Sequence, residues 1–284
     1  MASMRDIKRR RGSVQSTQQI TKAMKLVSTV KLQRARADAE RSKTYFDTMY
    51  RTVNSILKRA GNVEHRYLKA SDCPKKAVIV ITSNRGLAGG YNMNVVKLVT
   101  RETSLPKEDV YVYAIGNKGK DALAKAGYEI KGDYPEVMEA PSYRDAMDIC
   151  NMLLSAFEEG EIGEIYLAYT AFKNTVSHVP TLRKLLPVEG DESEEEESTA
   201  LMNFEPQDEE ALDMIIPKYV TSLIYGGLVE ALASENGARM QAMDNATSNA
   251  EEMISDLTLK YNRARQGSIT QELTEIIAGA EAIS

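Results

Sequence analysis

This chain of 284 residues has no tryptophan, four phenylalanines, two histidines and two cysteines. Each scarcity closes off a class of explanation. Cys73 and Cys150 stand far apart and make neither a disulfide framework nor a zinc motif. The expectation is two inert thiols in a reducing compartment. His65 and His178 are too few for a metal cluster, and nothing in the sequence sets a Ser, a His and an Asp together as a triad. No stretch of about eighteen apolar residues occurs, so no segment is expected to span a bilayer. The N-terminus lacks an apolar signal core, and Asp6 with the early onset of a helical pattern argues against a transit peptide, so a cytoplasmic protein is expected. With aromatics at only 6% and hydrophobic residues at 43%, the composition leans towards long helices around a real core.

Proline and glycine are absent from 13–60. So long a run without a breaker predicts one helical rod of roughly 72 Å at the helical rise. Ser13, Ser16 and Thr17 read as its start and Gly61-Asn62 as its closing cap. Steps of three and four from Met4 meet Ile7, Arg11, Val14, Gln18, Thr21, Lys25, Ser28, Leu32, Ala35, Ala39, Ser42, Phe46, Met49, Val53 and Ile56. The second half of that stripe is a coiled-coil seam. In the first half the apolar residues Ile20, Met24 and Val27 sit off the seam, and the surface is basic. One partner helix does not stabilise so polar a helix, so it is expected to run inside something else.

The C-terminal stretch 218–284 also lacks proline. Its seam runs through Met240, Met243, Thr247, Ala250, Ile254, Leu257, Tyr261, Ala264, Ser268, Gln271, Glu275 and Ala278, fading from apolar to small and polar. Two long helices that wind around each other, antiparallel about a compact middle, are expected. That middle alternates. Strands are predicted at 76–83, 110–115, 128–130, 164–170 and 181–186. Helices are predicted at 94–102, from Gly116 through Ala126, and at 142–159. This order implies an α/β domain with a mostly parallel, doubly wound sheet. The expected domains are 1–61 (N-terminal coiled-coil helix), 62–207 (central Rossmann-like α/β domain, with an acidic low-complexity loop at 189–198) and 208–284 (C-terminal coiled-coil helix).

Two features invite a ligand. The glycine-rich turn Thr82-Ser-Asn-Arg-Gly-Leu-Ala-Gly-Gly-Tyr-Asn92 follows the first strand, where doubly wound folds bind phosphates. It matches neither the dinucleotide fingerprint nor a Walker loop, and is expected to be a tight turn that packs the sheet edge against the rod. The basic patch Lys8-Arg-Arg-Arg11 could meet nucleic acid, but no aromatic interleaving accompanies it, and an acidic protein collar is an equally physical partner. Charge is unevenly spread. Residues 1–60 hold fifteen Lys/Arg against four Asp/Glu, whereas 189–210 hold eleven acids and no base. No catalytic constellation emerges, and no cofactor or metal is expected.

Four motifs together resemble one family. Ser13-Val-Gln-Ser-Thr-Gln-Gln-Ile-Thr-Lys-Ala-Met-Lys-Leu-Val27 is similar to the N-terminal helix of the gamma subunits of F-type ATP synthases. The Asn84-Arg-Gly-Leu-Ala-Gly-Gly90 turn resembles that family's central motif. Gly237-Ala-Arg-Met-Gln-Ala-Met-Asp-Asn-Ala-Thr-Ser-Asn-Ala250 and Ile269-Thr-Gln-Glu-Leu-Thr-Glu-Ile-Ile-Ala-Gly-Ala280 resemble its C-terminal segments. The resemblance implies a non-catalytic rotor shaft that couples ion flow to ATP synthesis or hydrolysis. The implied partners are a hexamer of alpha and beta subunits, the epsilon subunit and the membrane rotor c-ring. It implies one copy per complex, held peripherally at the cytoplasmic face of the bacterial plasma membrane. By position in the family motifs, Arg265, Gln266 and Thr270 would hydrogen-bond a loop of the catalytic subunit, and Glu272 would share in coupling. Arg239 would communicate with the N-terminal segment. Met24 and Lys25 would lie near the lever of the catalytic subunits, and Phe204 and Glu205 would form the foot on the rotor ring. Gly12 stands where the family has a helix former, which implies a bend or frayed end. Asn84 replaces an Asp and Ala88 a Cys.

Overall fold

The computed structural model describes residues 4–60, 65–69, 73–102, 106–175, 177–188 and 208–281. Two long helices, α1 (Met4–Ala60) and α5 (Asp208–Glu281), flank the alternating middle. The middle comprises β1 (Lys76–Ile81), α2 (Tyr91–Lys97, continued by a π-helical turn to Glu102), β2 (Val110–Ile115), α3 (Asn117–Lys125), β3 (Glu129–Asp133), α4 (Tyr143–Glu158), β4 (Glu164–Phe172) and β5 (His178–Leu186). Each strand and helix expected from the alternation is present.

The helix ends differ from expectation. α1 starts at Met4, ahead of the expected cap, and stays helical through Gly12, so no interruption arises there. The Ser16 and Thr17 hydroxyls instead donate back to the carbonyls of Gly12 and Ser13, at 3.2 and 3.1 Å. α5 begins ten residues before 218 and takes Pro217 into its interior. A proline that lacks an N–H is tolerated there because tertiary packing holds the helix on either side of it. Gly61-Asn62 and the acidic run 189–198 lie outside the described residues.

The chain divides into two compact units. The first, Met1–Ser28 with Arg239–Ser284, is a helix pair. Gln18, Thr21 and Lys25 meet Glu251, Thr247 and Asp244 in turn, which makes the pair antiparallel. Thr21 and Ser28 of α1 and Met243, Thr247, Ala250 and Leu257 of α5 are buried, in line with the spacing by threes and fours.

The second unit, Thr29–Ala238, is built on a five-stranded sheet of order β3-β2-β1-β4-β5. β3, β2, β1 and β4 are parallel, and β5 returns beside β4 antiparallel. On one face Ile79, Ile81 and Leu167 pack with Ile149, Leu153 and Phe157 of α4, with Leu212, Ile216, Ile224 and Leu228 of α5, and with Val53 and Ile56 of α1. On the other, Val78, Val80 and Val112 pack with Val95 and Val96 of α2 and Leu123 of α3. Burying each such side chain stabilises by roughly 1.5–3 kcal/mol. α5 lies close on the sheet at Gly227, where a Cβ would come within 2.8 Å of Leu167 Cδ2. α4 starts in a capping box, with Ser142 and Asp145 each accepting from the other's backbone N–H.

Two titratable groups give tests of this packing. Cys150 is buried under α5, and burial pushes its thiol up to about 11. Because burial withholds both access and the thiolate, Cys150 should resist alkylation at neutral pH while half-exposed Cys73 reacts. Mass mapping of the alkylated native chain checks this, and denaturant should release Cys150. Glu164 joins Lys76 and Lys184 across three strands, at 2.6 and 3.3 Å. Burial would raise its carboxyl, but hydrogen bonds from Lys76, Tyr166 and Lys184 outweigh that and hold it below its ordinary value. A carboxyl lowered on folding contributes stability at neutral pH, and that contribution is lost as pH falls through the folded value. Glu164→Gln should therefore lower the unfolding midpoint at pH 7 and flatten its decline on the acid side.

Candidate functional site

In doubly wound sheets, phosphates sit against the strand ends and the N–H groups that open the next helix. At the junction of β2 with α3, those N–H groups bond within the chain. Asn117 donates to Asn84 Oδ1 at 3.1 Å, Lys118 to the Ser83 carbonyl at 3.1 Å and Gly119 to Thr82 Oγ1 at 2.8 Å. These are the opening turn of α3, pressed against the end of β1. Gly116, at φ +100°, permits that approach, since a Cβ there would stand 2.1 Å from the Thr82 carbonyl oxygen.

The glycine-rich turn after β1 makes bonds of its own. Ser83 donates from both its N–H and its hydroxyl to Asn92 Oδ1, at 2.9 Å each. Asn84 accepts from Asn117 through its oxygen and donates from Nδ2 to the Pro135 carbonyl at 2.7 Å. A carboxylate could accept but not donate there, which gives the amide at position 84 a physical reason. Tyr91 donates its hydroxyl to the Ala231 carbonyl of α5 at 3.1 Å, so the turn braces the sheet against the long helix.

The residues singled out by sequence lie mostly in the helix pair. Arg265, Gln266, Thr270 and Glu272 are all exposed near the end of α5. From Ile269 to Ala280 every residue is exposed. At 100° per residue, Arg265 and Glu272 fall on one stripe with Ile269 and Ile276, and Gln266 and Thr270 on the adjoining stripe with Leu273 and Ile277. Those four apolar side chains are 49–68% exposed. Sequence reading followed the seam and missed them, although the spacing 269, 273, 276, 277 was a visible apolar face. Thr270 spends its hydroxyl hydrogen on the Gln266 carbonyl at 3.0 Å, leaving its oxygen to accept from outside.

On α1, half-buried Met24 shares an outer stripe with Ile20 and Val27, which are 60% and 57% exposed. The Lys25 ammonium reaches Asp244 at 2.6 Å and so serves the helix pair itself. Arg239 is half-buried where α5 enters the pair. The stripe at Met24 and the one at Arg265 are carried by different helices. Met24 is level with the region of Asp244, about 30 Å down α5 from Arg265. Phe204 and Glu205 lie outside the described residues. Among the described residues no His, Cys, Asp and Glu side chains gather into a metal-binding group, and no helix is long and apolar enough to cross a membrane.

Comparison with known proteins bears on these surfaces. The family profile described as ATP synthase matches residues 3–283. The ATP synthase gamma chain of Lachnoclostridium phytofermentans is 67% identical, over 100% of both chains. The ATP synthase gamma chain of Acetobacterium woodii, described as sodium ion specific, is 40% identical over 99% of each. In fold the chain is similar to one in the cryo-EM structure of the Euglena gracilis mitochondrial ATP synthase (TM-score 0.69, 20% identity, 99% of this chain and 94% of that one). The chain thus belongs to the ATP synthase gamma-chain family, the non-catalytic central-stalk subunits of that enzyme.

Proposed function

We propose that the end of α5 turns inside a hexamer of alpha and beta subunits, and that Arg265, Gln266, Thr270 and Glu272 there, with Met24 on α1, pass conformational change to the catalytic sites. The observation that carries this reading is the exposed end of α5. Four apolar residues alternate there with hydrogen-bonding side chains on a helix that α1 no longer covers. Thin stripes of this kind suit repeated making and breaking of contact, whereas a broad apolar patch would hold one partner persistently. A shaft shifts a site's affinity only by interacting differently with that site's conformations, and one asymmetric copy per hexamer supplies that difference.

Other partners follow from the family resemblance. The opposite end of the shaft would rest on the rotor c-ring through Phe204 and Glu205, with the epsilon subunit beside it, at the cytoplasmic face of the plasma membrane. The domain boundaries 1–61, 62–207 and 208–284 would mark shaft, base and shaft. A nucleotide at the glycine-rich turn finds no support, because the turn carries neither the dinucleotide fingerprint nor a Walker lysine, and Ser83 and Asn84 bond within the chain. A nucleic-acid role for Lys8–Arg11 finds little, because Arg11 stacks over the Tyr261 ring at 5.6 Å and Arg9 pairs with Asp6.

Replacing Arg265 and Gln266 together by Ala, in the complex assembled in its membrane, tests the reading. Ion-driven ATP synthesis should fall by about tenfold, the scale of one lost charge-assisted contact, while subunit composition stays intact. Unchanged synthesis would remove these residues from the coupling contact.

A further inference from the structure

The two surfaces assigned to coupling sit on different helices, so their relative height depends on the register between α1 and α5. That register is held by polar rungs. Gln18 Nε2 donates to Glu251 Oε1 at 3.0 Å, Thr21 and Thr247 meet hydroxyl to hydroxyl at 2.8 Å, and Lys25 Nζ reaches Asp244 Oδ1 at 2.6 Å. The outer two rungs are open to solvent. The threonine pair is buried, at 8% and 9% exposure.

The pair has a feature that the others lack. Thr21 Oγ1 also lies 3.0 Å from the Gln18 carbonyl, and Thr247 Oγ1 lies 2.7 Å from the Met243 carbonyl. Two hydroxyl hydrogens are therefore shared among three oxygen–oxygen contacts, and leaving the Thr21–Thr247 contact without one would set lone pairs against each other at 2.8 Å. Either Thr21 donates to Thr247, which donates to Met243, or Thr247 donates to Thr21, which donates to Gln18. Both arrangements keep the bond between helices, and each hydrogen always has an acceptor. An axial slip of one turn would set Thr21 opposite Met243 or Ala250. Each hydroxyl would then keep only its own helix's carbonyl. The bond between helices would be lost in a buried seam, where water does not replace it. The pairings at Lys25 and Gln18 would break with it.

We infer that Thr21 and Thr247 form a register lock that resists sliding of α1 along α5, and that they are positioning residues for coupling. They hold the Met24 stripe and the Arg265–Glu272 stripe at fixed relative height. The part that concerns coupling rests on the function proposed above. The lock itself rests on the rungs alone. A buried polar pair that specifies helix register at some expense of stability is a known device of coiled coils. Apolar residues at these positions would strengthen the seam and free its register.

The test uses the assembled membrane complex with Thr21→Val and Thr247→Val. Val keeps the branched side chain and removes the hydroxyl. Register is read by cross-linking Gln18→Cys to Glu251→Cys, the native rung, or to Ser255→Cys, one turn further along, with the linkage mapped by mass. In the threonine parent the native pair should form faster by roughly three- to tenfold, the factor that one net hydrogen bond carries. In the double valine variant that preference should collapse and the ratio of ATP synthesised to ions passed should fall, while subunit composition is unchanged. Serine at both positions should restore both readouts. A native preference that survives the valines would overturn the lock. Lost preference with coupling intact would uphold the lock and count against the contacts proposed for Met24 and Arg265.

Discussion

α5 is one helix with two incompatible duties. Between Ile216 and Gly237 most of its residues are buried, on the sheet side and on the side of α1. From Ile269 to Ala280 all are exposed. A helix apolar on every side would satisfy the first stretch and aggregate through the second. A helix polar on every side would suit the second and leave the sheet uncovered. The chain resolves this by grading composition along the sequence of the helix. Leu212, Ile216, Ile224 and Leu228 close the core, small residues such as Gly227 bring backbone against sheet, and Thr247 and Ala250 thin the seam before the end of the helix stands clear.

The sheet-bearing unit anchors that gradient. Its glycine-rich turn occupies the place where related topologies hold a phosphate, and its Ser83 and Asn84 bond within the protein. Thr82, Ser83 and Asn84 supply the acceptors that a ligand would otherwise provide, and Tyr91 fastens the turn to α5. A site that elsewhere does chemistry here fixes a helix in place. This agrees with a central-stalk subunit that carries no catalytic site.

Much of this was legible in the sequence because long-range order here follows simple periods. The steps from Met4 and from Met240 follow the covered stripes of both helices as far as Ser268, beyond which Gln271, Glu275 and Ala278 are exposed, and β-branched runs mark β1 and β2. Where the reading departed, local signals had been overridden. Ser16 and Thr17 look like caps but bond back inside a helix that had already begun, and Gly12 and Pro217 are carried because the turns around them are held. The exposed Ile269, Leu273, Ile276 and Ile277 lie off the seam whose period the sequence shows. An apolar face that contacts no part of its own chain is visible only once the partner helix is seen to end. The rungs across the pair were likewise beyond reach, since residues such as Thr21 and Thr247 come together only through the register of the fold.

The central claim is that this chain serves as a single shaft within an assembly that holds the catalytic sites elsewhere. The most direct measurement is the native mass of complexes recovered through a tag on this chain from gently solubilised membranes, with ATPase activity assayed on the same material. The account predicts one copy of the chain with an alternating hexamer of nucleotide-binding subunits, active in hydrolysis. Recovery of the chain as a monomer or a homo-oligomer, without those subunits, would contradict it.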